Sequence, residues 1–143
     1  MAEAFFNDVF GRLEWDGELG GWLGGIDWPP GRHTEVALWL SGDDLAADLR
    51  MAADSLGWLQ DHEGQARRDT AEEMLEVYNN AWLDEEGPLT GAELFRRLEL
   101  VRIGFEEDGS LLLTYDAGEL FGGHEVDAEF GPDRSFRGAG LVG

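Results

Sequence analysis

The sequence predicts an α+β domain: an antiparallel sheet built from N- and C-terminal strands, with two to three central helices packed on it. Strand-like segments fill about residues 5–40, apolar residues recur at helical spacing over about residues 43–97, and strand-like segments return over about residues 98–142. Strands at both ends of a chain with helices between them are typical of helices packed on an antiparallel sheet. Because 143 residues is the size of one ordinary domain, we expect residues 1–143 to form a single domain.

Alternating apolar residues and turn signals predict strands in the first 40 residues. The segment FGRLEW alternates imperfectly, and Asp16-Gly17, which follows it, is a hairpin signal. The segment GGWLGGIDW supplies Trp22 and Trp28, and the Pro-Pro-Gly run after it predicts a loop. The run EVALWL (35–40) is rich in β-branched and aromatic residues and indicates a buried strand.

Three apolar stripes predict the central helices. The segment Ser41-Gly42-Asp43-Asp44 offers an N-cap with an acidic residue three positions on. We expect Gly64 to separate a first helix from a second, which Gly87-Pro88 ends. Thr90-Gly91-Ala92-Glu93 is a capping box and predicts a short third helix. The first stripe is formed by Leu45, Leu49, Ala52, Ala53, Leu56 and Leu59, and the second runs from Ala66 to Trp82.

The last third of the chain predicts four strands. Residues 98–107 alternate, and Asp108-Gly109 leads into residues 111–116, which is a strong hairpin signal. Residues 125–130 alternate between acidic and apolar side chains, so one face of this strand carries the carboxylates. A glycine-rich segment, 135–142, forms the last predicted strand.

Charge and composition exclude several classes of function. The chain has 31 acidic residues against 10 basic ones, for a formal net charge of -21, and all the basic residues are arginine. Such a surface does not displace counterions from a phosphate backbone, so we expect no direct binding to nucleic acid and none to an anionic membrane. The charge indicates either attraction of a basic protein partner or simply a strongly solvated surface. No thiolate chemistry is available without cysteine, and with no long apolar run and no signal-peptide pattern we expect a soluble, cytoplasmic protein.

The segment LFGGHEV raises the question of a metal or enzyme site at His124, with Asp116 and Glu119 contributing from the preceding turn. Strand alternation weakens that interpretation, because it separates His124 from the acidic face of residues 125–130. We therefore predict no metal, and a half-buried His124 whose two ring nitrogens have protein partners. The sequence also lacks a Gly-x-Ser-x-Gly motif, a P-loop and the zinc-binding spacings, so we expect no cofactor.

Two tryptophans are the best candidates for contacts with a partner. Trp22 and Trp28 are flanked by glycines and prolines in predicted loops, although most of the tryptophans fit a role in the core. The leading hypothesis is a non-enzymatic protein-binding module, for example an immunity or inhibitor protein for a basic partner. The alternative is a metal-dependent or acid/base enzyme site centred on His124. The oligomeric state stays open.

Most of the chain resembles a known family. The resemblance covers about residues 35–143 and is to the uncharacterised bacterial family catalogued as domain of unknown function 2262. It implies no activity, cofactor or catalytic residue, but it indicates that the Phe-Gly-Gly-His turn is part of a family pattern. One departure is Gly122, where the family pattern favours a larger, often aromatic residue. The matching positions are Asn79 or Asn80 with Trp82; Leu89, Thr90, Leu94 and Phe95; and Leu120, Phe121, Gly123 and His124.

Overall fold

A computed structural model describes residues 3–40, 43–82 and 87–142. Segments in which apolar residues alternate form the strands, and the long segment in which they recur every three or four residues forms the main helix. Within the described residues there are eight strands and two helices: β1 (Ala4–Asn7), β2 (Gly11–Asp16), β3 (Gly21–Asp27), β4 (His33–Trp39), α1 (Leu45–Ala81), α2 (Gly91–Arg97), β5 (Glu99–Glu106), β6 (Leu111–Asp116), β7 (Glu125–Phe130) and β8 (Phe136–Val142).

All eight strands belong to one sheet, in which their spatial order follows their order in the chain. Six of the seven neighbouring pairs are antiparallel, and β4 with β5 is parallel. The predicted antiparallel sheet is therefore confirmed only in part. The parallel junction has a simple cause: the two helices lie between β4 and β5 and form a crossover that returns the chain to the end where β4 began.

The long helix corrects one prediction. Residues 45–81 form a single helix of 37 residues, so Gly64 does not separate two helices. A glycine in a helix interior costs only about 1 kcal/mol relative to alanine, and buried Glu63 and Ala66 continue the packed stripe across it. The helix also ends at Ala81, before the predicted stop at Gly87-Pro88.

Both helices begin with side-chain caps. The Oδ1 atom of Asp44 accepts a hydrogen bond from the Ala47 N–H at 3.1 Å. The first residues of the predicted cap, Ser41-Gly42, lie outside the described residues. The capping box predicted at the start of α2 is confirmed, because Thr90 and Glu93 each accept from the other's backbone N–H, at 3.2 and 3.1 Å. These acceptors satisfy N–H groups that a helix leaves unpaired at its start.

The predicted hairpins are confirmed. Asp16 Oδ1 accepts from the N–H groups of Glu18 and Leu19 at 2.9 and 3.0 Å, which closes the turn between β2 and β3. Asp108 Oδ1 accepts from the Ser110 N–H at 2.9 Å, and this bond lowers the pKa of Asp108. The helices lie on one face of the sheet, where the apolar side chains of alternate strand positions form the core with α1. The core includes Leu13, Val36, Leu38, Ile103, Phe105, Leu113, Val126 and Phe130 from the sheet, and Leu56, Leu59, Met74 and Tyr78 from α1.

In the part of the chain that the structure describes, neither helix combines the length and apolarity needed to cross a membrane. The long helix α1 is amphipathic instead, with charged residues throughout its exposed side. Its buried stripe is explained by packing on the sheet.

Candidate functional site

The turn between β6 and β7 packs against the C-terminal end of α1. Leu120 and Phe121 are buried. The Phe121 ring meets the rings of Tyr78 and Trp82 edge-on, with centroids 5.7 and 6.1 Å apart. Edge-to-face packing of this kind is favourable beyond the apolar area that it buries. The turn is therefore anchored to α1 by aromatic contacts.

His124 is half-buried, as predicted, but its ring is not hydrogen-bonded as predicted. Its backbone N–H donates to the Phe121 carbonyl at 3.2 Å, and its ring lies edge-on to Trp82, with centroids 6.0 Å apart. Among the described residues neither ring nitrogen of His124 has a hydrogen-bond partner. Packing against the indole, rather than hydrogen bonding, holds the ring.

The carboxylates near His124 do not converge on it. Asp116 Oδ1 accepts from the Gly118 N–H at 2.8 Å and so closes its own turn. Glu119 is exposed, and its carbonyl accepts from the Gly122 N–H at 3.1 Å. Across residues 3–40, 43–82 and 87–142, no group of three His, Cys, Asp or Glu side chains is arranged to hold a metal ion. The geometry of these residues therefore does not support the alternative hypothesis of a metal or enzyme site centred on His124.

The positions that carry the family pattern form a connected structural unit. Asn79 makes two hydrogen bonds to the backbone of Leu89: its Nδ2 donates to the carbonyl at 3.2 Å, and its Oδ1 accepts from the N–H at 3.1 Å. Trp82, one turn further along α1, contacts the turn that contains Gly122 and His124. Asn79 thus links the end of α1 to the segment before α2, and Trp82 links it to the turn between β6 and β7. Both roles are structural.

Exposed apolar side chains concentrate in β1, β2 and the turns that follow them. Of the seven large apolar side chains exposed among the described residues, four lie between residues 6 and 19. Carboxylates surround them: residues 3–19 contain five acidic residues and one arginine. We call this region the N-terminal surface. It consists of the exposed Phe6, Val9, Trp15 and Leu19 with the acidic residues of the same segment, Glu3, Asp8, Glu14, Asp16 and Glu18. Phe6 and Trp15 lie on opposite faces of the β1–β2 pair, because Phe6 is paired with Arg12 and Trp15 follows three residues later in the same strand.

Trp22 supports this surface from behind. It is half-buried, and its ring packs edge-on against Phe5 at 4.7 Å and Trp15 at 5.4 Å between centroids. Trp15 is 43 % exposed and Phe6 79 % exposed, so these two residues present more ring to solvent than Trp22 does. Sequence reasoning missed them. No local sequence signal could have found them, because their exposure depends on β1 lying at the edge of the sheet.

Trp28 lies at a cleft beside the same strands. The cleft has a volume of about 560 Å³ and opens between the β1–β2 turn, the end of β3 and α1. The Trp28 carbonyl accepts from Thr34 Oγ1 at 2.6 Å, which fixes the loop after β3. Asp8 and Asp27 line the cleft with Trp28, and Gln60 lines it from α1. An aromatic face beside two carboxylates suits a cationic side chain.

A partly buried ion pair of α1 is linked to the sheet through Tyr115. Arg67 donates to both carboxylate oxygens of Glu63, at 3.0 and 2.8 Å, and the Tyr115 hydroxyl donates to Glu63 Oε1 at 3.3 Å. Burial and the adjacent Glu63 carboxylate raise the pKa of Tyr115. Burial lowers the pKa of Arg67, but its bonds to Glu63 raise it by more. The phenol stays protonated as a donor inside the core, so this group stabilises the fold.

The sheet face opposite α1 carries a polar row across four strands. Arg102 donates to Glu35 at 2.9 Å, and Thr114 donates to Asp127 at 2.8 Å. The Trp39 ring covers Gly104 on this face, where a Cβ would lie 2.6 Å from Trp39 Cζ3. Arg102 and Glu35 form an ion pair, and the Asp127 carboxylate accepts from a neutral hydroxyl. Phe6 lies on this same face of the sheet, at the far edge, since the register continues from Glu14 through Leu23 to Ala37.

The architecture and these surfaces describe a two-layer α+β protein without a convergent catalytic group among its described residues. The chain belongs to the family described as "Uncharacterized protein conserved in bacteria (DUF2262)", whose model matches residues 7–141. This match confirms the resemblance noted from the sequence and extends it toward the N-terminus across β2 and β3. No curated protein and no solved structure matches the chain.

Proposed function

We propose that this protein is a non-enzymatic binding module for a basic protein partner, with the N-terminal surface as its contact region. An immunity or inhibitor protein that covers a basic toxin or nuclease is one concrete form. The proposal includes a cytoplasmic location. The observation that carries it is the concentration of exposed apolar side chains on both faces of the β1–β2 pair, including Phe6 and Trp15, in a segment with five carboxylates.

Charge supports the choice of partner. A net charge of -21 repels acidic proteins and nucleic acid, and it accelerates the encounter with a basic protein at low salt. Arg12, the one cation of the N-terminal surface, pairs with Glu14 at 2.9 Å. The field over this surface is therefore negative, and a basic partner is the complementary one.

The aromatic residues support tight contact after the encounter. Tryptophan and other large side chains near the centre of an interface carry much of its binding free energy, while a polar rim excludes water. Trp15 is exposed, and its ring packs on Trp22, which itself packs on Phe5. Trp28 and the cleft beside it lie next to this region and suit a basic side chain of the same partner.

Affinity capture from an extract of the source bacterium at low salt tests the proposal. We expect the wild-type protein to retain a basic protein that elutes as salt rises. The double variant Phe6→Ser/Trp15→Ser keeps the charge and should lose it. The control Met51→Ser/Val77→Ser removes two exposed apolar side chains from α1 and should retain it.

Two results would contradict the proposal. Recovery of no basic protein by the wild type would remove its basis. Equal retention by all three proteins would show that the N-terminal surface is not the contact region.

A further inference from the structure

We propose that β1 is a docking edge, to which an extended basic segment of the partner adds as a ninth strand of the sheet. This inference rests on the proposed function and specifies the contact: backbone pairing along β1, with the segment's apolar side chains beside Phe6 and its basic side chains among the carboxylates. Addition of a strand to a sheet edge obtains affinity from backbone hydrogen bonds and specificity from alternate side chains.

The register of the first hairpin shows which backbone groups of β1 point outward. The Trp15 N–H donates to the Glu3 carbonyl at 2.9 Å, and the β1–β2 register continues from that pair. In an antiparallel ladder the hydrogen-bonded pairs alternate, so Phe5 and Asn7 direct their N–H and C=O groups toward β2. Ala4 and Phe6 therefore direct theirs away from the sheet. Among the described residues no other strand pairs with that side of β1.

The opposite edge of the sheet differs. In β8 the Ala139 N–H donates to the Glu73 carboxylate of α1 at 2.6 Å, and α1 packs along this strand. A carboxylate on an edge N–H, together with a covering helix, blocks the addition of a strand. β8 is thus protected by an element of the fold, whereas β1 presents its outward groups beside an exposed Phe6.

Side chains select the kind of segment that fits. Phe6 is 79 % exposed and shares a sheet face with Arg12, its cross-strand neighbour. A segment paired with β1 places every second side chain on that face, where an apolar residue packs against the Phe6 ring. Glu3, Asp8 and Glu14 surround the strand and favour lysine or arginine at the remaining positions. A segment that alternates basic and β-branched residues meets both requirements.

The first measurement uses a blocked eight-residue peptide of alternating lysine and valine, added at low salt to the isotopically labelled full chain. A control peptide keeps the lysines but has proline at two valine positions, so it has the same charge and pairs poorly as a strand. We expect the lysine–valine peptide to shift the amide signals of Ala4 and Phe6 and to bind about tenfold more tightly than the control.

Two variants distinguish the contribution of the β1 backbone to peptide binding from that of the Phe6 ring. Phe6→Pro removes an outward N–H and leaves the β1–β2 hydrogen bonds in place, so it should weaken the lysine–valine peptide about tenfold. Phe6→Ser keeps that N–H and removes the ring, and it should weaken binding less. Should Phe6→Pro fail to fold, the amide map of the wild type decides, because shifts that avoid residues 3–7 overturn the inference.

The outcomes distinguish this inference from the proposed function. Equal binding of both peptides, unchanged in Phe6→Pro, would overturn the docking edge and leave a basic-partner module in place. Binding of neither peptide to the wild type at low salt would overturn the docking edge and count against electrostatic recruitment itself.

Discussion

The indole ring of Trp82 occupies the space that a side chain at Gly122 would need. A Cβ at Gly122 would lie 3.1 Å from Trp82 Cζ3, and the backbone there has a φ of 65°. Both conditions favour glycine, since the left-handed region is costly for other residues.

Gly122→Ala should destabilise the fold more than Gly118→Ala. Gly118 has nearly the same φ, 62°, but nothing lies within 4 Å of its Cβ position, so it reports the backbone cost alone. That cost is about 1–2 kcal/mol, and contact with Trp82 adds to it at Gly122. Urea unfolding of the two variants measures the difference. Equal losses would mean that the ring moves aside without cost.

Asn79→Ala should lower the free energy of unfolding by about 1–3 kcal/mol, because it leaves two backbone groups of Leu89 without their partner. Asn80→Ala is the matched control. Asn80 is exposed, and its replacement should change the free energy of unfolding by less than about 0.5 kcal/mol. Similar effects at both positions would argue against a specific link between α1 and the segment before α2.

Glu63→Gln should lower the free energy of unfolding by about 3 kcal/mol, since it leaves Arg67 and the Tyr115 hydroxyl facing a neutral amide. This loss of free energy is at the low end of the range expected for breaking a buried ion pair, because the Arg67 side chain is 25 % exposed. Glu14→Gln breaks an exposed pair with Arg12 and serves as the control. Thermal and urea unfolding compare the two, and equal losses would contradict a special role for the buried pair.

Alkaline pH should destabilise the fold through Tyr115. Burial raises its pKa above that of the unfolded chain, which is about 10. Its contribution to stability is complete below the pKa of the unfolded chain and is lost as the pH rises above it. In Tyr78→Phe, Tyr115 is the one remaining tyrosine, so tyrosinate absorbance reports it directly. Ionisation near pH 10 with the fold intact would contradict this account.

Local signals predicted most of the elements. Asp16-Gly17, Asp108-Gly109 and the Thr90 capping box act through hydrogen bonds to residues two or three positions away, so their partners are visible in the sequence. The predicted break at Gly64 was wrong, because packing of the neighbouring apolar stripe on the sheet outweighs the low helix propensity of glycine. The parallel pairing of β4 with β5 depends on the path of the crossover, which no local pattern encodes.

Site residues were harder to predict, because exposure depends on which strands lie at the edge. Trp22 was a reasonable candidate, but its neighbours Trp15 and Phe5 half-bury it. Trp15 and Phe6 became visible as surface residues only once β1 was known to end the sheet. The sequence places carboxylates close to His124, but the Asp116 carboxylate accepts a hydrogen bond from Gly118 within its own turn.

Hydrogen exchange of the protein, alone and with the basic partner recovered at low salt, tests the central claim most directly. The account predicts slower exchange of amides within residues 3–19 when the partner is bound, with no change along β8. Protection confined to the polar row around Arg102, or to the turn around His124, with residues 3–19 unchanged, would contradict it.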